Sequence, residues 1–167
     1  MSILSATDEG WLLDAFGNRM IAFEAETFQA FVGQLMEVAG KQVGTVLLFA
    51  MGLRAGKLIF KHRKPESGSE KELSSALDSS LRSRGWGRCI NVAKNAMAQT
   101  SYLVSITGTP LSHNRRSEEP TCHFIRGVVA GWFEEYFGMR LECIETKCMS
   151  MGANVCTFQL KLLLEAR

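Results

Sequence analysis

The stretch PTCHFIRGVVAGWFEEYFGMRLECIETKCMSMGANVCTF, from Pro120 to Phe158, holds four of the five cysteines of this 167-residue chain. Its apolar residues first recur every three to four positions, as on one face of a helix. These positions are Phe124, Ile125, Val128, Val129, Trp132, Phe133, Tyr136 and Phe137. Pro120 and Thr121 suit the start of a helix, and Gly138 suits its C-terminal cap. The sequence therefore predicts a long helix that begins near Cys122.

A β-hairpin is predicted directly after this helix. Residues 139–147 and 155–163 read as antiparallel strands joined by a loop that contains Ser150, Gly152 and Asn154. A helix of about 16 residues is about 24 Å long, and a seven-residue strand runs back over roughly the same distance. The hairpin should therefore return its cysteines to the level of the first helical turn.

Four side chains that can serve as metal ligands are expected to meet near the first turn of the helix. Glu145 follows Cys122 by 23 residues, Cys148 follows Glu145 by three, and Cys156 follows Cys148 by eight. Three thiolates and one carboxylate suit tetrahedral zinc, and a full set of four protein ligands predicts a structural rather than a hydrolytic site. Either His123 or Cys143 could replace Glu145. Ordinary buried cysteines are the alternative, and spacing alone does not decide between the two.

The same stretch resembles the C-terminal signature of the 4-vinyl reductase domain family, whose members include predicted hydrocarbon-binding proteins and aromatic-sensing domains of bacterial activators. The matching residues are Pro120, Cys122, Gly127, Gly131, Gly138, Glu145, Cys148, Gly152 and Cys156. The resemblance extends to residues 44–60 and 85–87. It implies a fold shared with the tethering subunits of the TRAPP complex and a structural zinc ion bound by Cys122, Glu145, Cys148 and Cys156.

Length and composition favour one globular domain over residues 1–167, with residues 1–40 as an N-terminal segment and helix. Hydrophobic residues make up 46% of the chain, charged residues make up 22%, and the net charge is +2. No basic stripe indicates direct nucleic acid binding. The N-terminus lacks the basic region of a signal peptide, and no uncharged apolar run approaches the roughly 18 residues of a transmembrane segment. We expect a cytoplasmic protein with reduced cysteines.

The remaining chain predicts an α/β protein of the α+β type, with an antiparallel sheet of four to five strands packed against helices. The predicted elements are a short helix or docking segment at Trp11–Leu13, a strand at 19–23, helices at 26–39, 40–60 and 73–82, and strands at 86–92 and 101–107. Gly44, Gly52 and Gly56 share one face of the second long helix. They predict close backbone packing or room for a ligand. The resemblance implies a pocket between sheet and helices, and a homodimer.

The first functional hypothesis is a sensor or carrier domain that binds a small apolar or aromatic molecule. Large apolar residues expected to face the sheet are the candidate ligand contacts, although each also suits plain core. They are Phe49, Leu53, Trp86, Tyr102, Trp132 and Phe133. In the family's phenol sensors a histidine and a tryptophan hold the hydroxyl, and these positions correspond here to Trp86 and to Met97 or Ala98. The resemblance therefore favours a ligand poor in hydrogen bonds, such as a hydrocarbon, lipid or tetrapyrrole.

Two other functions remain open. An enzyme or accessory protein in tetrapyrrole vinyl reduction would need a nicotinamide or flavin, but the chain has no GxGxxG, P-loop, GxSxG or HExxH motif. We therefore do not expect an enzyme. A homodimeric interaction protein related to the tethering subunits is the other alternative. A redox role, in which oxidation of the cysteines releases the zinc ion, is a further alternative that we rank below a purely structural zinc site.

Overall fold

The computed structural model describes residues 4–14, 17–62, 64–95, 101–112 and 114–163. The phenol-contact position predicted at Met97 or Ala98 lies outside these ranges. The N-terminal part forms a small antiparallel sheet of three strands in the order β1-β2-β3. The strands are β1 (Leu4–Ala6), β2 (Leu12–Asp14) and β3 (Arg19–Met20).

The short helix predicted at Trp11–Leu13 is wrong, because this segment pairs as strand β2. Tight turns on both sides leave too few residues for a helix. The carboxylate of Asp14 accepts hydrogen bonds from the backbone and side-chain nitrogens of Asn18, which closes the second turn. The strand predicted from residue 19 is confirmed, although it ends at Met20.

The main body contains four helices and a four-stranded sheet. The helices are α1 (Ala25–Ala39), α2 (Lys41–His62), α3 (Glu70–Arg82) and α4 (His123–Phe137). The strands are β4 (Arg88–Lys94), β5 (Ser101–Thr107), β6 (Leu141–Lys147) and β7 (Cys156–Leu162). They form an antiparallel sheet in the order β4-β5-β7-β6. The predicted α+β class and antiparallel sheet are confirmed.

Helix α4 packs against α2 and against strands β6 and β7, while α3 packs against β4. Glycines allow the backbones of α2 and α4 to touch. A Cβ atom built on Gly52 would overlap the carbonyl oxygen of Phe124, and one on Gly131 would overlap the carbonyl oxygen of Leu53. Lys57 also pairs with Glu134 across the two helices, at 2.7 Å. Close helix packing is therefore what the glycines of α2 provide.

Alternation along β6 places a carboxylate on the buried face of the sheet. Leu141, Cys143 and Glu145 are buried, whereas Glu142 and Ile144 are exposed. Glu145 retains only 7% of its accessible surface. Burial of a carboxylate is costly without a partner of opposite charge, which makes this position unusual.

Within the described residues, α2 is long and apolar enough to cross a membrane by length and composition alone. Core helices of soluble proteins pass the same test. One face of α2 is in backbone contact with α4, and Arg54 and Lys57 interrupt its apolar sequence. Contact with α4 accounts for the buried face of α2, while Val43, Val46, Leu47, Met51 and Leu58 remain exposed.

Candidate functional site

The four predicted metal ligands converge at one end of the main sheet. Cys122 immediately precedes α4, Glu145 lies near the end of β6, Cys148 follows β6, and Cys156 begins β7. Their ligand atoms all lie within 4.8 Å of one another. The sulfur of Cys122 is 3.5 Å from that of Cys156 and 4.0 Å from that of Cys148. Sulfurs bonded to one tetrahedral zinc ion at about 2.3 Å would be about 3.8 Å apart, so the spacing fits zinc.

Local backbone structure explains why the four meet. The register of β6 against β7 shifts between Glu145 and Lys147, which is a bulge near the strand end. A single 3-10 turn, Met149–Met151, then leads to Gly152, whose φ of 93° is accessible to glycine. The amide of Met149 donates to the sulfur of Cys156 at 3.4 Å. The hairpin end thereby folds around the cysteines.

Hydroxyl groups surround the three sulfurs. Thr109 Oγ1 lies 3.2 Å from the sulfur of Cys122, Ser150 Oγ lies 3.0 Å from that of Cys148, and Ser112 Oγ lies 3.4 Å from that of Cys156. The thiol of Cys156 donates to Ser112, whereas the hydroxyls of Thr109 and Ser150 can donate to the other two sulfurs and stabilise negative charge on them. Sequence reasoning missed these contacts, because serine and threonine residues in the loop after β5 and in the 3-10 turn after β6 carry no signal until the loops are seen beside the cysteines.

The electrostatics of the cluster favour a bound cation. Burial raises the pKa of Glu145 to about 8. Hydrogen bonding to Cys148 and Cys156 raises the pKa of the Cys122 thiol, whereas hydrogen bonds from the Cys122 and Cys156 thiols lower the pKa of Cys148. Four acids this close cannot all ionise without positive charge among them. A divalent cation would allow full deprotonation of the set.

Glu145 supplies a second indication of the same kind. Its Oε2 accepts a hydrogen bond from the amide of Cys122 at 3.1 Å. Its Oε1 is buried and has no hydrogen-bond partner among the described residues. A buried carboxylate oxygen without a partner is costly, and a metal ion would provide one. The donor set present therefore fits a zinc ion.

The two alternative ligands lie outside this cluster. Cys143 lies on β6 two residues before Glu145, and it pairs with Leu160 of β7. Burial raises the pKa of its thiol to about 12. His123 opens α4, and its Nδ1 is buried without a partner in the described chain. His123 instead lines a separate cavity of about 530 Å³ beside Thr121 and Lys41.

A larger cavity of about 740 Å³ lies between the N-terminal segment, α1, α2 and the turn that joins α3 to β4. Its floor is aromatic: the ring of Phe124 makes edge contacts with Phe28 at 5.5 Å and with Trp86 at 5.1 Å between centroids. Ile21 and Phe23 line it while 81% and 57% exposed, so they form its mouth. The volume and apolar walls are typical of small-molecule sites.

One of the six predicted ligand contacts, Trp86, lines this cavity. Trp132 and Phe133 are fully buried and stack with neighbouring aromatic rings, including Tyr102 and Phe60. Phe49 and Leu53 pack between α2 and α4, where their backbones contact Gly127 and Gly131. The sheet-facing space expected for a pocket is filled by α4 and its aromatic residues. The cavity is walled instead by α1 and the N-terminal segment, which sequence reasoning did not assign to ligand binding.

The loop before α4 connects the cysteine cluster to the cavity. Thr109 contacts the sulfur of Cys122, and the next residue, Pro110, lines the cavity. Gln29 of α1 donates a hydrogen bond to the carbonyl oxygen of Pro110 at 2.7 Å. Phe124, two residues after Cys122, forms part of the floor. Short stretches of chain therefore join the cluster to the cavity wall.

Comparison with known proteins agrees with the resemblance seen in the sequence. Residues 104–162 match the 4-vinyl reductase domain. An uncharacterised protein of Methanocaldococcus jannaschii is 32% identical over 77 residues, which is 46% of this chain and 45% of that protein. The matched segment thus spans less than half the length of this curated relative.

Solved structures of the same fold cover most of the chain. The phenol-responsive sensory domain of the transcription activator PoxR, with phenol, aligns with a TM-score of 0.78 at 19% identity over 99% of this chain and 87% of that chain. A vinyl-4-reductase family protein from Methanocaldococcus jannaschii aligns with a TM-score of 0.61 at 21% identity, over 87% of this chain and 85% of that chain. A trafficking protein particle complex subunit 3 from Naegleria fowleri, covalently bound to palmitic acid, aligns with a TM-score of 0.60 at 21% identity, over 86% of this chain and 97% of that chain. These similarities show a shared fold.

Proposed function

From the premise that residues 104–162 match the 4-vinyl reductase domain, we propose that this protein is a small-molecule-binding domain for an apolar or aromatic ligand, acting as a sensor or carrier. The cavity of about 740 Å³ is the observation that carries the proposal. The similarity in fold to a sensory domain solved with phenol supports it. The cytoplasm is the compartment we propose, because reduced thiols are needed at the cysteine cluster.

The ligand chemistry follows from the cavity walls. Most lining residues are aliphatic or aromatic, and Trp86 stands at the position that corresponds to the phenol-binding histidine of the resembling sensors. An indole N–H donates a hydrogen bond but cannot accept one from a phenolic hydroxyl. We therefore expect hydrophobic contact, rather than a buried hydroxyl network, to provide most of the affinity.

Binding of apolar probes tests the proposal directly. Naphthalene and dodecyl alcohol should raise the melting temperature of the purified protein, and the increase should grow with the logarithm of ligand concentration above Kd, because a ligand that binds only the folded state stabilises it. Phenol should have a smaller effect. Replacement of Phe28 by a smaller or charged residue should remove the response, and the matched change Phe137→Leu, outside the cavity, should not. An unchanged melting temperature with every probe would refute ligand binding.

We further propose a structural zinc ion at Cys122, Glu145, Cys148 and Cys156. The three sulfurs and the unpartnered Oε1 of Glu145 would hold it, and bound zinc would supply charge neutralisation and a link between α4 and the β6–β7 hairpin. No ligand position would remain for water, so the site would not support hydrolysis. This role is structural, in that it fixes Phe124 and Pro110 on the cavity wall.

A homodimer is the second proposal, and an exposed apolar stripe on α2 favours it. Its members are Val43, Val46, Leu47, Met51 and Leu58. Val46 is 65% exposed, and Val38 at the end of α1 is 78% exposed. Contiguous exposed apolar surface of this kind is typical of interaction sites.

Charge complementarity favours a second copy as the partner, although Lys41 and Lys57 of α2 already pair with Glu119 and Glu134 of the same chain. Helix α1 carries Glu26 and Glu37 and no lysine or arginine, whereas α2 carries lysines and an arginine and no acidic residue. In a two-fold arrangement, α1 of each copy would face α2 of the other, and both contacts would join opposite charges. The stripe is continuous with the cavity mouth at Met51, so the partner would also cover the mouth.

A further inference from the structure

The walls of the 740 Å³ cavity are apolar except at one place. Arg82 at the end of α3, with Ser83 and Arg84 directly after it, line it together. Among the described residues that line this cavity, none is acidic. Positive charge is therefore concentrated at one side of an otherwise hydrophobic space.

Arg84 is held in place within that wall. Its Nη1 donates hydrogen bonds to the carbonyl oxygen of Ser80 and to the hydroxyl of Ser83, both at 2.9 Å. Both of these bonds use Nη1, which leaves the N–H groups of Nε and Nη2 to other acceptors. A guanidinium fixed in this way presents a planar pair of donors that matches the two oxygens of a carboxylate.

Burial makes this cation a favourable site for an anion. Removal from water lowers the pKa of Arg84, while the carboxylate of Asp14 acts in the opposite direction. Asp14 itself already accepts hydrogen bonds from Asn18. A partly desolvated cation beside apolar walls is stabilised by an anion that enters the same low-dielectric space.

The neighbouring arginine is occupied differently. Arg82 lies 3.6 Å from Asp78 and its side chain is 54% exposed to solvent. A solvated charge that already has a carboxylate partner contributes little to recognition. Arg84 is therefore the cation expected to decide recognition, and Arg88, which also lies near Asp78 but does not line the cavity, provides the matched control.

Capping of α3 is the other role open to Arg84, since Ser80 lies in the last turn of that helix. Capping explains the bonds of Nη1. It does not require an arginine on the wall of the cavity, and it predicts no preference among ligands. Selectivity for the ligand's polar group therefore separates the two roles.

We infer that the cavity takes an amphipathic anion, an apolar chain or ring that carries a carboxylate, and that Arg84 binds the carboxylate while the apolar part lies against Phe28, Phe124 and Trp86. This inference rests on the proposed ligand-binding function and deepens it by naming the ligand's chemical class.

Three probes with the same tail test it: dodecanoate, dodecyl alcohol and dodecylamine, measured by calorimetric titration of the full chain below their micellar concentrations. The wild-type protein should bind dodecanoate about tenfold or more tightly than the alcohol, and the amine should bind most weakly. Arg84→Met should bring dodecanoate to within about threefold of the alcohol. Arg84→Lys should retain a smaller preference, because it keeps charge without the planar pair of donors.

The control Arg88→Met, which removes an exposed arginine outside the cavity lining, should keep the wild-type preference. Equal affinity of the wild type for all three probes would overturn this inference and leave the proposed function standing, whereas no binding of any probe would overturn both. A full preference for dodecanoate in folded Arg84→Met would also overturn it. If Arg84→Met unfolds because α3 loses its cap, the wild-type protein still tests the inference. Its relative affinities for the three probes, and the salt dependence of those affinities, show whether a carboxylate is preferred.

Discussion

Glu145 shows most clearly what distinguishes the cysteine cluster from ordinary core. Its side chain occupies a core-facing position of β6, and its Oε1 has no partner in the described chain. Four acidic groups within 4.8 Å of one another are stable together only if protons or a cation occupy the space between them. At neutral pH a divalent metal ion would satisfy all four, including the buried Oε1 of Glu145 that has no hydrogen-bond partner among the described residues.

Loss of one thiolate should remove the metal. Cys156→Ser should weaken zinc binding by more than about a hundredfold, which exceeds the usual effect of changing an outer partner. The control is Cys89→Ser, which changes a buried cysteine outside the cluster. Elemental analysis of dialysed protein measures the result. Full zinc content in Cys156→Ser, or equal loss in Cys89→Ser, would contradict the assignment.

The hydroxyl of Thr109 should tune the site without forming it. Thr109→Val removes the group 3.2 Å from the sulfur of Cys122 and should weaken zinc binding about tenfold, because the thiolate loses a donor. Competition with a chelator of known affinity measures the change. Thr146→Val is the comparison, since Thr146 is exposed and bonds to the carbonyl of Thr157. Equal effects of the two variants would remove any specific role of Thr109.

At the scale of elements, the contact between α2 and α4 organises the fold. The helices meet through glycines of both, and α4 in turn contacts the sheet. Gly131→Ala should destabilise the protein by about 3 kcal/mol, because its Cβ would overlap the carbonyl oxygen of Leu53 and force the helices apart. Denaturant unfolding measures the difference.

Gly33→Ala is the matched control for that prediction. Gly33 lies inside α1, and a Cβ there would meet nothing within 4 Å. Alanine should therefore stabilise α1 by up to about 1 kcal/mol through its helix propensity. Similar losses of stability in the two variants would show that close packing of α2 on α4 is not what the glycines serve.

Periodicity predicted these elements well where a single face is buried, and poorly where the apolar signal is short. The α4 positions and the alternation of β6 located the helix, the hairpin and the convergence of Cys122, Glu145, Cys148 and Cys156. Trp11–Leu13 gave no period to distinguish strand from helix. The cavity escaped prediction because its walls come from α1, the segment around Phe23 and the Arg84 turn, whose proximity is a property of tertiary packing.

At the scale of the whole molecule, the metal cluster and the cavity share the loop before α4. Removal of zinc by chelation should lower the affinity for naphthalene as well as the melting temperature, because Pro110 and Phe124 would lose their fixed positions. Fluorescence titration before and after chelation measures this, and added zinc should restore binding. Unchanged affinity in folded, zinc-free protein would show that the two sites are independent.

Assembly is the other property of this scale. Val46→Glu places a charge on the exposed stripe of α2 and should convert the proposed homodimer to a monomer. The reason is that the glutamate of each copy would be buried against the apolar surface of the other copy. Sedimentation velocity over a range of concentrations measures the change. Thr146→Glu adds the same charge at an exposed position of β6, outside α1 and α2, and should leave the dimer intact. A wild-type protein that is monomeric at every concentration would contradict the proposed interface.

Native mass spectrometry of the freshly purified protein, with zinc quantified in the same sample, tests the central claim most directly. The account predicts one zinc ion per chain, lost in Cys122→Ser and Cys156→Ser, together with an added mass from a copurified apolar molecule in the cavity. A folded protein with neither zinc nor ligand, which takes up neither when they are supplied, would contradict it.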